Sequence, residues 1–466
     1  MSEDNEGNSG LQKNDEVLLH NIKNQWGRLI SCLTQLDSVD LVEPTLKLGR
    51  SDECDIVIYK SKFLPNQLFF VSKEHFLISR DPDDPYISYI TDLSKNGTYL
   101  NGTLIGKNLR VVLQNNDSIA IGEKLKVYIF KSMTYSVNEN YLPLCLRMRY
   151  EPSRLLGKGG CGEVRLAYEK FTCKKYAIKK ISKGRNTPSQ IHNVNHPTRI
   201  HTEISILQKL SHPLVVNMRE IVETEEEVFI VLEYVKGGEL TNKISPLNPL
   251  TEASTKFLFY QMVLAVHYLH SNGITHRDLK PGNVLLATNN TQSLIKVTDF
   301  GLSKVTEDYD TMRTVCGTWH YIAPEVLNPG ITEYDNQVDV WSLGVILFYM
   351  LSNELPFQSA DKSTLGKLIV TGTYKMQGQV WAEVSEAARD LVKRMLVVNP
   401  HKRITVTEIL NHPWILKDNL MRFRVENLMG KSEDDNEENS KRRVPSAENG
   451  FTRGIKRARL DLTNQA

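Results

Sequence analysis

Two short acidic motifs constrain this chain more than anything else in its 466 residues. The first is His276-Arg277-Asp278-Leu279-Lys280-Pro281-Gly282-Asn283. The second, Asp299-Phe300-Gly301, places its carboxylate sixteen residues beyond Asn283. Together they supply two carboxylates, an amide and a lysine, a set suited to a phosphate chain and the hard cation that accompanies it. Asp278 is placed to accept a hydroxyl proton and Lys280 to neutralise a phosphoryl group in transfer. Asn283 and Asp299 are the expected Mg²⁺ ligands.

Other segments fall into order around them. Upstream lies Gly157-Lys158-Gly159-Gly160-Cys161-Gly162-Glu163-Val164, whose glycines let a hairpin close over phosphates with no Cβ in the way. Alone it would be an ordinary Gly-rich turn. Next, Tyr176-Ala177-Ile178-Lys179 reads as a strand bringing Lys179 to the α- and β-phosphates. Most surface glutamates are merely solvated. Glu203, on the helical stretch His201–Leu210, is singled out because that helix falls between the lysine strand and the next strand pair. It is the expected carboxylate partner of Lys179. The hinge strand Phe229–Tyr234 and the residues after it are expected to add Glu233, Val235 and Glu239 to the nucleotide site, and Ala323-Pro324-Glu325 closes the series.

This ordered set resembles the protein kinase family. The resemblance implies a bilobal α+β domain, ATP and Mg²⁺ as cofactors, and catalysis by positioning and charge neutralisation. Lys280, two residues after Asp278, is similar to the serine/threonine kinases rather than the tyrosine kinases. Thr318 in Gly317-Thr318-Trp319 fits the same pattern, with a hydroxyl able to bridge Asp278 and Lys280. Arg277 needs an anionic partner if buried. Of Thr311, Thr314 and Thr318, we expect Thr314 as the principal regulatory phosphosite, with Thr318 a second. In basophilic kinases the counterpart of Glu239 pairs with an arginine three residues before the target hydroxyl. The competing view makes Glu239 a helix-start glutamate favoured by the helix dipole.

Residues 25–131 read differently. Short runs rich in Val, Ile, Phe and Tyr (Asp55–Tyr59, Phe69–Val71, His75–Ile78, Tyr86–Ile90 and Lys126–Phe130) are separated by turns such as Asn96-Gly97 and Asn101-Gly102. That pattern predicts an all-β sandwich. Gly49-Arg50-Ser51, Ser72-Lys73-Glu74-His75 and Ser94-Lys95-Asn96-Gly97 occur within it in that order and resemble an FHA domain. The resemblance implies phosphothreonine binding by Arg50, Ser72 and Lys73, with Asn96 holding the peptide backbone and His75 bracing the loop.

The predicted architecture is multidomain. Residues 1–24 form a disordered start, 25–131 the all-β FHA sandwich, 132–149 a linker, 150–415 the bilobal α+β protein kinase domain, and 416–466 a disordered tail. Trp26-Gly-Arg-Leu, Met312-Arg-Thr-Val-Cys-Gly-Thr318 and Leu410-Asn-His-Pro-Trp414 resemble the checkpoint kinase 2 family of animals. That resemblance implies DNA-damage signalling, an upstream damage-activated kinase, dimerisation through the FHA domain and trans-autophosphorylation. Family members carry an N-terminal Ser-Gln and Thr-Gln cluster, whereas residues 1–25 here hold none. Thr34-Gln35 is expected within the first strand, in a structural role. Gly282 stands where the family commonly has glutamate, and Trp319 where it commonly has proline.

The remaining composition excludes other classes. A net charge of +2 gives no global attraction to nucleic acid or membrane. The longest apolar run, near Leu343–Leu351, is too short to span a bilayer and reads as a buried helix. The cysteines are scattered without a C-x-x-C pair, which fits a reducing compartment. Lys441-Arg442-Arg443 and Lys456-Arg457-Ala458-Arg459 resemble a bipartite nuclear localisation signal, against the alternative of a solvated basic tail. Expected partners are proteins with basic residues upstream of Ser/Thr, and phosphothreonine proteins. A phosphothreonine-binding adaptor with a silent kinase fold, and a meiotic FHA-domain kinase, are the competing readings.

Overall fold

The computed structural model describes residues 24–133, 141–159, 162–183, 210–245, 247, 249–299, 318–327 and 335–430. Gly160, Cys161, Glu203, Thr311, Thr314, the N-terminal segment before residue 24 and the basic clusters of the tail lie outside them. Residues up to Lys417 form one compact unit, and a second begins at Asp418.

Two sheets build the N-terminal region. One runs in the order Val39–Leu41, Gly27–Ser31, Leu125–Ser132, Ser118–Ile121, Thr98–Leu100, Thr103–Leu104. The other runs Ile56–Val57, Thr45–Gly49, Glu74–Arg80, Ser88–Asp92, Arg110–Leu113. Alternating side chains from both sheets (Leu29, Leu48, Phe76, Ile90, Val127 and Phe130 among them) fill the layer between them, as strand periodicity requires. Trp26 seals one end and donates its indole N–H to the Glu43 carbonyl at 2.9 Å. The sandwich is thus as predicted, with two local differences. Phe69–Val71 is not a strand: Pro65 starts a short helix, Pro65–Leu68, and Phe69 and Phe70 follow it with exposed rings. β-propensity describes fit to a half-buried pleated surface, and no such surface exists there. Thr34-Gln35 lies in the exposed turn between Gly27–Ser31 and Val39–Leu41, not within a strand.

The segment expected to be linker does more than link. Leu144–Arg147 is a helical turn, and Tyr141, Leu142 and Leu146 are buried against Tyr150, Tyr176, Ile178 and Phe229. The Tyr141 hydroxyl donates to the Ile178 carbonyl at 3.0 Å, on the strand that carries Lys179. These aromatic and aliphatic side chains extend the core of the following domain.

That domain begins with an antiparallel sheet in the order Tyr150–Gly159, Gly162–Glu169, Lys175–Ser182, Glu227–Glu233, Met218–Glu223. A helical lobe follows. Its central helices, Glu252–Ser271 and Gln337–Ser352, are apolar on nearly every face and therefore buried. Thr251 caps the first by accepting from the Ser254 amide, and Asn353 ends the second in the left-handed region at φ 58°. The run Leu343–Leu351 is thus a buried helix, as expected. No helix of the described residues is long and apolar enough to cross a membrane. Glu325 and Arg403, both buried, meet in a two-pronged ion pair at 2.7 and 2.9 Å, tying the Pro324–Leu327 turn to the end of the lobe. In the second unit, within the stretch expected to be a disordered tail, Asp418 caps a helix over Asn419–Met429.

Candidate active site and phosphopeptide site

The catalytic loop is held from behind by one buried carboxylate. Asp339, on the Gln337–Ser352 helix, accepts from the His276 amide at 2.7 Å and the Arg277 amide at 2.8 Å. It also meets His270 Nε2 at 2.8 Å. Those contacts hold Arg277 in the left-handed region at φ 65°, a strained conformation for a residue with a Cβ that persists only when its surroundings dictate it. His276, fully buried, donates from Nε2 to the Thr298 carbonyl at 3.0 Å and accepts the Asp278 amide at Nδ1. It thereby links the catalytic loop to the Asp299 segment. Sequence reasoning missed Asp339. Its signal was an acid inside an apolar helix, which is seldom buried without a partner.

Asp278 Oδ2 receives Lys280 Nζ at 2.8 Å and Asn283 Nδ2 at 3.1 Å. Asp278 Oδ1 is buried with no donor among the described residues, so it is the atom left to receive a hydroxyl. The Asn283 amide nitrogen also donates to the Asp278 carbonyl at 2.7 Å, which leaves its side-chain oxygen as the metal-suited atom. Asp299, left-handed at φ 58°, meets Lys179 Nζ at 2.8 Å. The lysine charge holds the Asp299 carboxyl below its usual range, an effect that outweighs partial burial. Asp278, Lys280 and Asn283 are thus held by one set of hydrogen bonds and Lys179 and Asp299 by another, the two linked through Thr298, whose carbonyl meets His276 and whose amide donates to the Asn283 carbonyl at 3.0 Å. Glu203, the expected partner of Lys179, is outside the described residues.

Above this group the hairpin pairs Gly157 with Val164, Lys158 with Glu163 and Gly159 with Gly162. A Cβ on Gly162, at φ 139°, would overlap the Lys180 carbonyl, so only glycine fits there. Glu163 turns to Arg165 rather than into the cleft. Glu233 stands on the strand that leads into the hinge. Its carboxylate pairs with Lys296 Nζ at 2.7 Å and accepts the Asn217 amide at 2.7 Å, so the side chain braces the hinge and a nucleotide contact at this position falls to the backbone. Val235 continues that hinge half-buried, and Glu239 is exposed at its end. A Cβ on Gly282 would stand 3.5 Å from Glu239 Oε2, which puts Glu239 beside the catalytic loop. Thr318 opens the short helix Thr318–Tyr321.

The predicted phosphopeptide residues also converge. The Arg50 amide donates to the Ser72 carbonyl at 3.0 Å, and the Arg50 side chain donates to the Val71 carbonyl at 2.6 Å. Ser72 Oγ accepts the Lys95 amide at 2.9 Å, and Asn96 Nδ2 donates to the Phe69 carbonyl at 2.9 Å. Arg50, Lys73 and Asn96 remain exposed around this knot. A Cβ on Gly49 would overlap the Lys73 backbone, so glycine is what allows the two loops to touch. His75 is buried behind them and accepts the Ser72 amide at 3.1 Å. Burial lowers its pKa to about 4.

Fold and cleft define a protein kinase preceded by a phosphopeptide-binding sandwich. The chain matches the protein kinase domain over residues 150–415 and the FHA domain over residues 46–122. It is 38% identical over 461 residues to ovarian-specific serine/threonine-protein kinase Lok of Drosophila melanogaster, covering 92% of this chain and 95% of the relative. Serine/threonine-protein kinase cds1 of Schizosaccharomyces pombe is 36% identical, covering 79% and 81%. Serine/threonine-protein kinase chk-2 of Caenorhabditis elegans is 33% identical, covering 84% and 82%. The crystal structure of Rad53 1-466 in complex with AMP-PNP superposes with a TM-score of 0.54 at 29% identity, covering 84% of this chain and 100% of that one. The chain belongs to the checkpoint kinase 2 family, serine/threonine protein kinases that carry an FHA domain and bind ATP.

Proposed function

We propose that this kinase transfers the γ-phosphate of ATP to serine or threonine in Arg-x-x-Ser/Thr contexts. Asp278 Oδ1, buried and without a donor among the described residues, carries the reading. A substrate hydroxyl reaching it gives up its proton to the carboxylate as its oxygen forms the new bond to the γ-phosphorus. The bond from that phosphorus to the departing ADP oxygen breaks. Lys280, already at Asp278, offsets charge on the transferring group. Asn283 and Asp299 supply hard oxygen atoms that suit Mg²⁺, which would neutralise the phosphate chain. Lys179, paired with Asp299, is placed to hold the α- and β-phosphates.

Glu239 supports the preference for arginine. It is exposed beside the catalytic loop, and Gly282 adds no second carboxylate next to it. Selection therefore rests on one arginine rather than two. Replacing the arginine three positions before the target hydroxyl should reduce kcat/KM by about tenfold or more in the native kinase and have little effect in Glu239→Gln. Equal losses in both proteins would remove Glu239 from this role.

The FHA knot around Arg50 would bind phosphothreonine on a partner or a second copy. Phosphorylation of Thr314 in trans would then switch the enzyme on. Similarity to checkpoint kinases supports action downstream of a DNA-damage-activated kinase, and the two basic clusters of the tail support a nuclear site of action.

A further inference from the structure

The FHA sandwich is joined to the nucleotide-binding lobe through a buried acid. Asp84 lies in the loop between Glu74–Arg80 and Ser88–Asp92 and is 1% exposed. Its Oδ2 accepts from the Ser153 hydroxyl at 2.6 Å and from the Tyr168 hydroxyl at 3.0 Å. Ser153 and Tyr168 belong to the two strands of the glycine-rich hairpin. One carboxylate oxygen thus holds both strands at the hairpin's base.

The surroundings extend this joint. Ile87, Tyr89 and Val112 of the sandwich pack with Leu166 and Tyr168 of the hairpin, and Tyr234 of the hinge closes the cluster. Tyr89 meets Tyr168 edge-on at 6.5 Å and donates its hydroxyl to Asp81 at 2.7 Å. The Val112 amide donates to the Lys170 carbonyl at 2.8 Å, where the hairpin's second strand ends. The cluster therefore touches both segments that border the nucleotide cleft, hairpin and hinge.

We propose that Asp84 is a positioning residue for the kinase reaction, setting the height of the glycine-rich hairpin over ATP. The ladder between the hairpin strands cannot do this alone. Its register shifts between Pro152 and Leu155 and again between Leu155 and Gly157, so the glycine tip hangs from an irregular stretch. Ser153 sits inside the first irregularity. It lies four residues from Gly157, about 13 Å of extended chain at about 3.3 Å per residue. A buried carboxylate is a costly way merely to glue two domains, because apolar packing would serve. What a charge-assisted hydrogen bond adds is a fixed direction and distance.

Steady-state kinetics of the full-length kinase on a peptide substrate, for Asp84→Asn and Tyr168→Phe, test the assignment. The KM for ATP should rise about tenfold in Asp84→Asn and about threefold in Tyr168→Phe, with kcat at saturating ATP changed less than about twofold. Hydrogen exchange should quicken at Leu155–Val164, while phosphothreonine-peptide affinity stays unchanged and certifies a folded sandwich. An unchanged KM for ATP in either folded variant overturns the proposal and leaves Asp84 a structural tether. So does a fall in kcat alone. If Asp84→Asn does not fold, Tyr168→Phe, which removes one hydroxyl from an intact joint, decides by the same criteria.

Discussion

Asp278 shows how a single residue is readied for chemistry. One oxygen is occupied by Lys280 and Asn283, and the other is buried without a donor among the described residues. The sequence located the residue, but the division of labour between its oxygens emerged only with the fold. Glu233 is the converse. It sits at the hinge, and its carboxylate is taken up by Lys296, 63 positions away in sequence. Spacing cannot reveal which long-range partner claims a side chain. His75 yields a prediction at this scale. Unfolded, it takes a proton below about 6.5; folded, burial delays that to about 4. Its neutral form is therefore the one the fold favours, and the stability it contributes is lost as pH falls through that window. The loss should reach about 3 kcal/mol near the lower end. Unfolding of the sandwich followed against pH should show this destabilisation, and His75→Asn should flatten it. An identical pH dependence in the variant would contradict it.

Among the elements, long helices were the most legible. The amphipathic pattern over Glu252–His270 and Glu386–Leu396 predicts helices, and the structure has them at Glu252–Ser271 and Glu386–Met395, because each pattern repeats over several turns and each helix is capped by a hydroxyl, Thr251 or Ser385. Short aromatic runs misled, as at Phe69–Val71, where no facing sheet exists to bury the rings. The tie between Arg403 and Glu325 was invisible, since 78 residues separate them. Removing one member leaves the other charged and buried. Arg403→Leu should therefore cost about 3–5 kcal/mol in denaturant unfolding. At the exposed pair Arg394–Asp390, Arg394→Ala should cost only about 0.3–0.5 kcal/mol. Similar costs at the two sites would refute that contrast.

For the molecule as a whole, the order of the FHA and kinase domains was readable because each carries motifs whose spacing reflects a function. Their union was not. Ser153 and Tyr168 lie 69 and 84 positions from Asp84, and all three look like ordinary loop and strand residues until the fold brings them together. The phosphopeptide site gives a prediction at this scale. Arg50→Ala should weaken binding of a phosphothreonine peptide by about tenfold or more in calorimetry, through loss of charge-assisted bonds. Retained affinity would place the phosphate elsewhere.

The most direct test of the account is single-turnover transfer of labelled γ-phosphate from ATP to an Arg-x-x-Thr peptide by the full-length native kinase and Asp278→Asn. The account predicts transfer in the native protein and a loss of about 100-fold or more in the variant, with ATP affinity retained. Equal rates in the two proteins would contradict it.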